Sequence, residues 1–130
     1  MGASKKNKAE KIKEDKKDVA IAKLNNCPTS PRKMRLVADL VRGENIYAAL
    51  NILRYNPKHA SKNIEKLLLS AINNWEQKNE GSDPVEANLI VKEIYVDSAR
   101  MLKRIQAAPQ GRAHRIRKRS NHVTLIIDKG

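Results

Sequence analysis

No Asp or Glu occurs between Asp97 and Asp128, yet eight cations fall in that interval: Arg100, Lys103, Arg104, Arg112, Arg115, Arg117, Lys118 and Arg119. This acid-free stretch restricts the fold more than any other feature of the chain. From Arg100 to Ser120 its large apolar residues are Met101, Leu102, Ile105 and Ile116, too few to cover a core. It therefore has to stand away from whatever core the other residues build. Pro109-Gln110-Gly111, near its middle, is a turn signal. On both flanks the apolar period is 2: Leu89, Val91 and Glu93 alternate with Ile90, Lys92, Ile94 and Val96, and Val123, Leu125 and Ile127 alternate with Thr124 and Ile126. The pattern predicts one long β-hairpin, apolar at its base and cationic over about residues 98–122. An arm of about 15 residues reaches roughly 50 Å. The radius of gyration of a body of about 90 residues is only about 12 Å.

An isolated two-stranded ribbon is marginal in water, and like charges at this density weaken it further. Such an arm makes sense embedded in a polyanion. The whole chain agrees: 27 Lys and Arg against 14 Asp and Glu in 130 residues give a formal net charge of +13. Nucleic acid is the first counterpart for such a balance and an anionic membrane surface the second. No apolar run approaches the roughly 20 residues of a membrane span, and the Lys-rich amino terminus lacks the apolar core of a signal peptide. A cytosolic chain is expected. Arg outnumbers Lys six to two in the acid-free stretch, and its planar donor fork bridges phosphate oxygens and stacks on bases. With no Phe, one Trp and three Tyr, aromatic stacking on bases cannot be the main mode of recognition.

The rest of the chain reads as one domain, residues 18–130, preceded by a flexible basic extension over 1–17 whose apolar content is too low to fold alone. Val19–Asn26 predicts a strand. Ser30-Pro31 starts a helix, with Ser at the N-cap and Pro at the first turn. Met34, Val37, Ala38 and Val41 follow at helical spacing, and Gly43 stops it. Ile46, Ala49, Leu50 and Leu53 form a second helix, ended by Asn56-Pro57. Ile64, Leu67, Leu68, Ala71, Ile72 and Trp75 form the clearest one, with Trp75 as a core anchor. The expected fold class is α+β, with three helices packed on a small three-stranded antiparallel sheet and a long projecting β-hairpin. Arg32, Lys33 and Arg35 crowd the first turn of the first of these helices, where the dipole disfavours cations. A phosphate docked there reverses the sign of that term.

Catalytic chemistry is not visible. The five glycines are scattered, and His59, His114 and His122 lack metal spacing. The single Cys27 allows no intramolecular disulfide and reads as a strand-end filler. No metal or cofactor is expected.

Three segments, SPRKMRLVADLVRG, AINN and GRAHRIRKRSNHVTLII, closely resemble the bacterial form of the universal large-subunit ribosomal protein number twenty-two. The resemblance spans about Ala20 to Asp128. It implies a structural protein of the large ribosomal subunit that binds large-subunit ribosomal RNA and supports subunit assembly. It also implies a hairpin tip that lines the polypeptide exit tunnel, where changes are associated with macrolide resistance. Residues 1–17 lie outside it. Charge pattern and resemblance together nominate Arg32, Lys33, Arg35, Arg100, Lys103, Arg104, Arg112, His114, Arg115, Arg117, Lys118 and Arg119 for RNA binding. The tunnel tip would be Gln106, Ala107, Ala108, Pro109, Gln110 and Gly111. His114 stands where the family often has Tyr, and the tip lacks the extra basic residues of many members. Implied partners are ribosomal RNA, neighbouring large-subunit proteins and the nascent polypeptide, without a membrane or a stable homo-oligomer.

Two other classes fit parts of the pattern. A DNA-bending protein could wedge Pro109 of a basic ribbon between base steps; a clean monomer in solution argues against it, because such proteins often dimerise. An enzyme acting on RNA would need a base, an acid or a metal site.

Overall fold

The computed structural model describes residues 2–130, the side chain of Asp18 excepted. Element order is α1 (Gly2–Asp18), β1 (Ala20–Cys27), α2 (Pro31–Val41), α3 (Ile46–Tyr55), α4 (His59–Lys78), β2 (Leu89–Ser98), β3 (Leu102–Ala107), a 3-10 turn (Pro109–Gly111), β4 (Ala113–Lys118) and β5 (Asn121–Lys129). The class is α+β as expected, with four helices rather than three and antiparallel sheets of three and two strands.

In the larger sheet the order is β1-β5-β2, both pairings antiparallel. One face carries Ala20, Ala22, Leu89, Val91, Ile94, Val96, Val123, Leu125 and Ile127, all buried. Helices α2, α3 and α4 cover that face. Their stripes, Met34/Val37/Ala38/Val41, Ile46/Ala49/Leu53 and Ile64/Leu67/Leu68/Ala71/Ile72/Trp75, turn into it at three- and four-residue spacing. Trp75 is 1% exposed and anchors the core. Ser30 occupies the N-cap of α2, but its side chain makes no cap bond there. Asn45 caps α3 by accepting the Tyr47 N–H at 3.0 Å. Cys27 ends β1, buried.

Three details differ from the expectations. First, the segment expected as a flexible extension is helical from Gly2 to Asp18 (Met1 lies outside the described residues). Ala, Lys and Glu are strong helix formers, and no Pro or further Gly interrupts them after Gly2. Second, β2 does not alternate strictly. Its register with β5 shifts between Val91 and Glu93. This bulge at Lys92 brings Ile94 and Val96 onto the same face as Leu89 and Val91, where strict alternation puts them on the opposite one. Third, the hairpin is not one continuous ribbon. The ladder of β2 and β5 ends at Ser98↔Asn121, and a second ladder runs from Leu102↔Lys118 to Ala107↔Ala113. Between them the Ala99 N–H donates to the Ser120 carbonyl at 3.0 Å.

Candidate nucleic-acid interface

In the arm, Lys103 pairs with Arg117 and Ile105 with Arg115, and these share one face with Ala107 and Ala113. The other face carries Leu102 with Lys118, Arg104 with Ile116 and Gln106 with His114. Both faces are therefore cationic. Lys103 and Arg117 lie directly opposite each other, an arrangement that destabilises a ribbon. Every residue of β3 is exposed, and β4 half-buries Ile116 alone. Ile105 is 77% exposed, a large apolar surface left open on an arm with no core of its own. Among the described residues the ion pairs are Arg42–Asp39 and Lys92–Asp128, neither of them on the arm. The one internal bond of an arm guanidinium runs from Arg104 Nη1 to the neighbouring Lys103 carbonyl.

The tip is the 3-10 turn Pro109–Gly111. Gln110 (φ 62°) and Gly111 (φ 71°) both sit in the left-handed region. Ala108 N–H closes the turn on the Arg112 carbonyl at 2.8 Å. All six tip residues except half-buried Ala108 are exposed.

The second cation group is at the start of α2. Arg32 and Lys33 project freely, whereas Arg35 is engaged: its Nε and Nη2 donate to the Val96 carbonyl at 3.3 and 3.0 Å. Arg42, which the sequence did not single out, donates from Nη2 to the Ile94 carbonyl at 2.9 Å. The two guanidiniums cover carbonyls of the edge strand β2, a position where bare backbone invites unwanted strand pairing. Arg35 is thus partly a structural residue, although it stays exposed.

The α2 start and the arm root lie at the same end of the molecule. Asn121, fully buried, donates from Nδ2 to the Thr29 carbonyl just before α2, and it pairs with Ser98 at the foot of the arm. Lys33 also borders a hollow shared with Lys58 and His59 at the first turn of α4. Sequence reasoning missed Lys58 and His59; the signal available was the Asn56-Pro57 break followed at once by two basic residues at a helix start. His122, outside the nominated set, accepts the Asn26 N–H on Nδ1 at 3.0 Å where β1 bulges.

All twelve nominated residues, Arg32, Lys33, Arg35, Arg100, Lys103, Arg104, Arg112, His114, Arg115, Arg117, Lys118 and Arg119, are exposed. The arrangement can neutralise phosphates on several sides of a ribbon. Among the described residues no three of His, Cys, Asp and Glu gather as a metal-binding group, and no helix is long and apolar enough to cross a membrane. On the sheet's open face, hydrogen bonding to Glu93, followed by burial and the Glu93 charge, raises the Tyr95 pKa above its ordinary value.

Comparison with known proteins follows the same residues. Residues 22–128 match the family model described as ribosomal protein L22p/L17e. Among similar proteins is the large ribosomal subunit protein uL22 of Christiangramia forsetii, 66% identical over 127 residues, covering 98% of this chain and 94% of the relative. That of Flavobacterium johnsoniae is also 66% identical over 127 residues, covering 98% and 93%. The uL22 of Bacteroides fragilis is 57% identical over 128 residues, covering 98% and 93%. The family match begins inside β1, whereas these alignments also take in most of α1.

Proposed function

The chain belongs to the ribosomal protein L22p/L17e family, and from that membership we propose how its surface serves the large ribosomal subunit. It is a structural component rather than an enzyme, at work in the cytoplasm within the ribosome. The arm and the start of α2 hold large-subunit ribosomal RNA, and this anchoring supports subunit assembly. The tip, Gln106 to Gly111, lies beyond the anchoring cations and lines the polypeptide exit tunnel, where it meets the nascent chain. Neighbouring large-subunit proteins are further partners, and the chain acts as a single copy without a membrane.

The observation that carries this reading is the arm: a ribbon cationic on both faces, without a carboxylate partner among the described residues, and with Ile105 open to solvent. RNA folded around it supplies the missing charge and covers the apolar surface. Arm cations displace counterions condensed on the phosphates, so binding weakens steeply with salt. The A-form major groove is too deep and narrow for a ribbon to read, so recognition follows the folded shape of the RNA.

Two experiments test the proposal. Sucrose-gradient fractionation of a cell extract in high salt should place the protein in stoichiometric amount with the large subunit; release to the top fractions removes the ribosomal reading. Replacing Arg112, Arg115, Arg117 and Arg119 together by Ala should leave the body folded. The variant should bind large-subunit RNA at least about a hundredfold more weakly, with a salt slope shallower by about three to four. Unchanged affinity would take the arm out of the mechanism.

A further inference from the structure

Helix α1 has no part in the reading above. It precedes the region matched by the family model, and every residue from Gly2 to Lys17 is exposed. Packing does not account for a helix of this kind; one polar all round bridges between bodies, is held by many side-chain pairs, or is not stable alone. Ile12 is its one large apolar side chain after Met1, and even that is 47% exposed. Ion pairs within the helix do not account for it either. Lys13/Lys17 and Glu10/Glu14 are like-charge pairs four residues apart, which repel. Lys6/Glu10 and Lys11/Asp15 place the cation first, the weaker orientation, and although Glu10/Lys13 and Glu14/Lys17 have the favourable order at three residues, neither closes to an ion pair among the described residues.

The charges of α1 are sorted by face. At 100° per residue, Lys5, Lys6, Lys13, Lys16 and Lys17 fall with Ala9 on one arc of about 120°. Glu10, Glu14 and Asp15 lie outside it with Lys8 and Lys11, Glu10 and Ile12 standing at its two borders. The carboxyl end of the helix is fixed to the body: Lys78 Nζ donates to the carbonyls of Lys16 and Val19 at 3.1 and 2.9 Å. Ile12 and Asp15 border a groove against Ile21, Lys92 and Ile126 of the sheet's open face. Lys16 also lines that groove; Lys6, Lys13 and Lys17, farther round the arc, are turned from it, and all five lysines are exposed.

We infer that this lysine face is a second RNA contact, laid along the phosphate backbone of a double-helical segment of ribosomal RNA. The inference rests on the ribosomal reading. Three observations select the occupant. The arc holds no apolar residue larger than Ala9, which leaves a membrane surface or a protein interface nothing to bury. Its cations are all Lys, in contrast to the Arg-rich arm; ammonium groups meet phosphates as point charges, without the bidentate geometry that specifies a shape. From Lys6 to Lys17 the face runs about 16 Å, enough for several successive phosphates. The arm thus supplies specificity, and α1 adds affinity that does not depend on sequence.

The test uses the full chain with Lys5, Lys6, Lys13 and Lys17 replaced together by Gln, whose helix propensity is close to that of Lys. Fluorescence anisotropy against a large-subunit RNA fragment, over a salt series, should show about a tenfold loss of affinity and a salt slope shallower by about three. The same four positions changed to Arg should bind within about twofold of the parent, and E10Q/E14Q should bind no more weakly. If the Gln variant matches the parent while the arm variant loses binding, the α1 contact is wrong and the ribosomal reading stands. If the arm variant also matches the parent, the anchoring role of the arm falls with it, and release of the protein from the large subunit in the gradient would remove the ribosomal reading itself. A Gln variant that binds RNA normally but fails to enter subunits points to an acidic protein partner and overturns the inference. Amine footprinting on intact subunits gives a readout independent of helix content. Lys5, Lys6, Lys13 and Lys17 should be protected relative to Lys8 and Lys11, and equal reactivity overturns the contact.

Discussion

Three arginines along α2 and at its C-cap have different work. Arg32 is free, Arg35 lies on the Val96 carbonyl and Arg42 on the Ile94 carbonyl. The sequence groups Arg32, Lys33 and Arg35 as one RNA-facing cluster, because residue type and spacing show charge but not the carbonyl of a strand some sixty positions away. Arg35→Ala should therefore cost the RNA-free protein about 1 kcal/mol in urea unfolding and weaken RNA binding only modestly. Arg32→Ala should leave stability within about 0.5 kcal/mol and act on RNA binding alone. Equal effects of the two on stability would remove the distinction. In the core, Trp75→Ala should cost about 3–5 kcal/mol, the range for emptying a large aromatic site.

At the scale of elements, what the sequence shows best is periodic. The stripes of α2, α3 and α4 and the alternation of β5 are legible because each repeats without interruption. The bulge at Lys92 is not, since one extra residue leaves the hydrophobic content of β2 unchanged while flipping every side chain beyond it. Helix α1 is illegible for the opposite reason: it has propensity without an apolar face, and the absence of a stripe reads as disorder. The acid-free arm is legible as a ribbon, but its division at Ala99–Met101 and Arg119–Ser120 is not, because the charge pattern runs through the break. That division makes the arm an element with its own stability. Hydrogen exchange of the free protein should show β3 and β4 amides exchanging orders of magnitude faster than those of β5, with protection gained on RNA. Arm amides as slow as β5 without RNA would refute an RNA-ordered ribbon. Deleting Ala107–Gln110 should spare RNA affinity within about threefold while altering the surface offered to a nascent chain; a deletion that abolished incorporation into subunits would merge tip and anchor into one function.

In the molecule as a whole, the arm and the start of α2 make one end of the packed body cationic. The part-buried bond from Asn121 to Thr29 and the pairing of Asn121 with Ser98 hold the start of α2 against the arm root, so the base from which the arm cations project is fixed relative to Arg32 and Lys33. A net charge of +13 draws the chain to RNA from any direction, and this geometry decides which end seats.

The place of β5 in the sheet has a consequence for when the protein can fold. β5 is the middle strand, yet it is made after both of its neighbours, and β1 and β2 do not touch each other. Until residues 121–129 are synthesised, β1 and β2 have no partner and the helices no finished surface to close on. At about 5–20 residues per second, the wait from β1 to β5 is roughly 5–20 s. In the last part of that interval the newly made cationic arm also lacks a closed root. A chain stopped after Ser120 should have no cooperative thermal transition and should be cut rapidly by protease, while the full chain resists. The protein's own birth thus holds its RNA-binding form back until the last strand arrives.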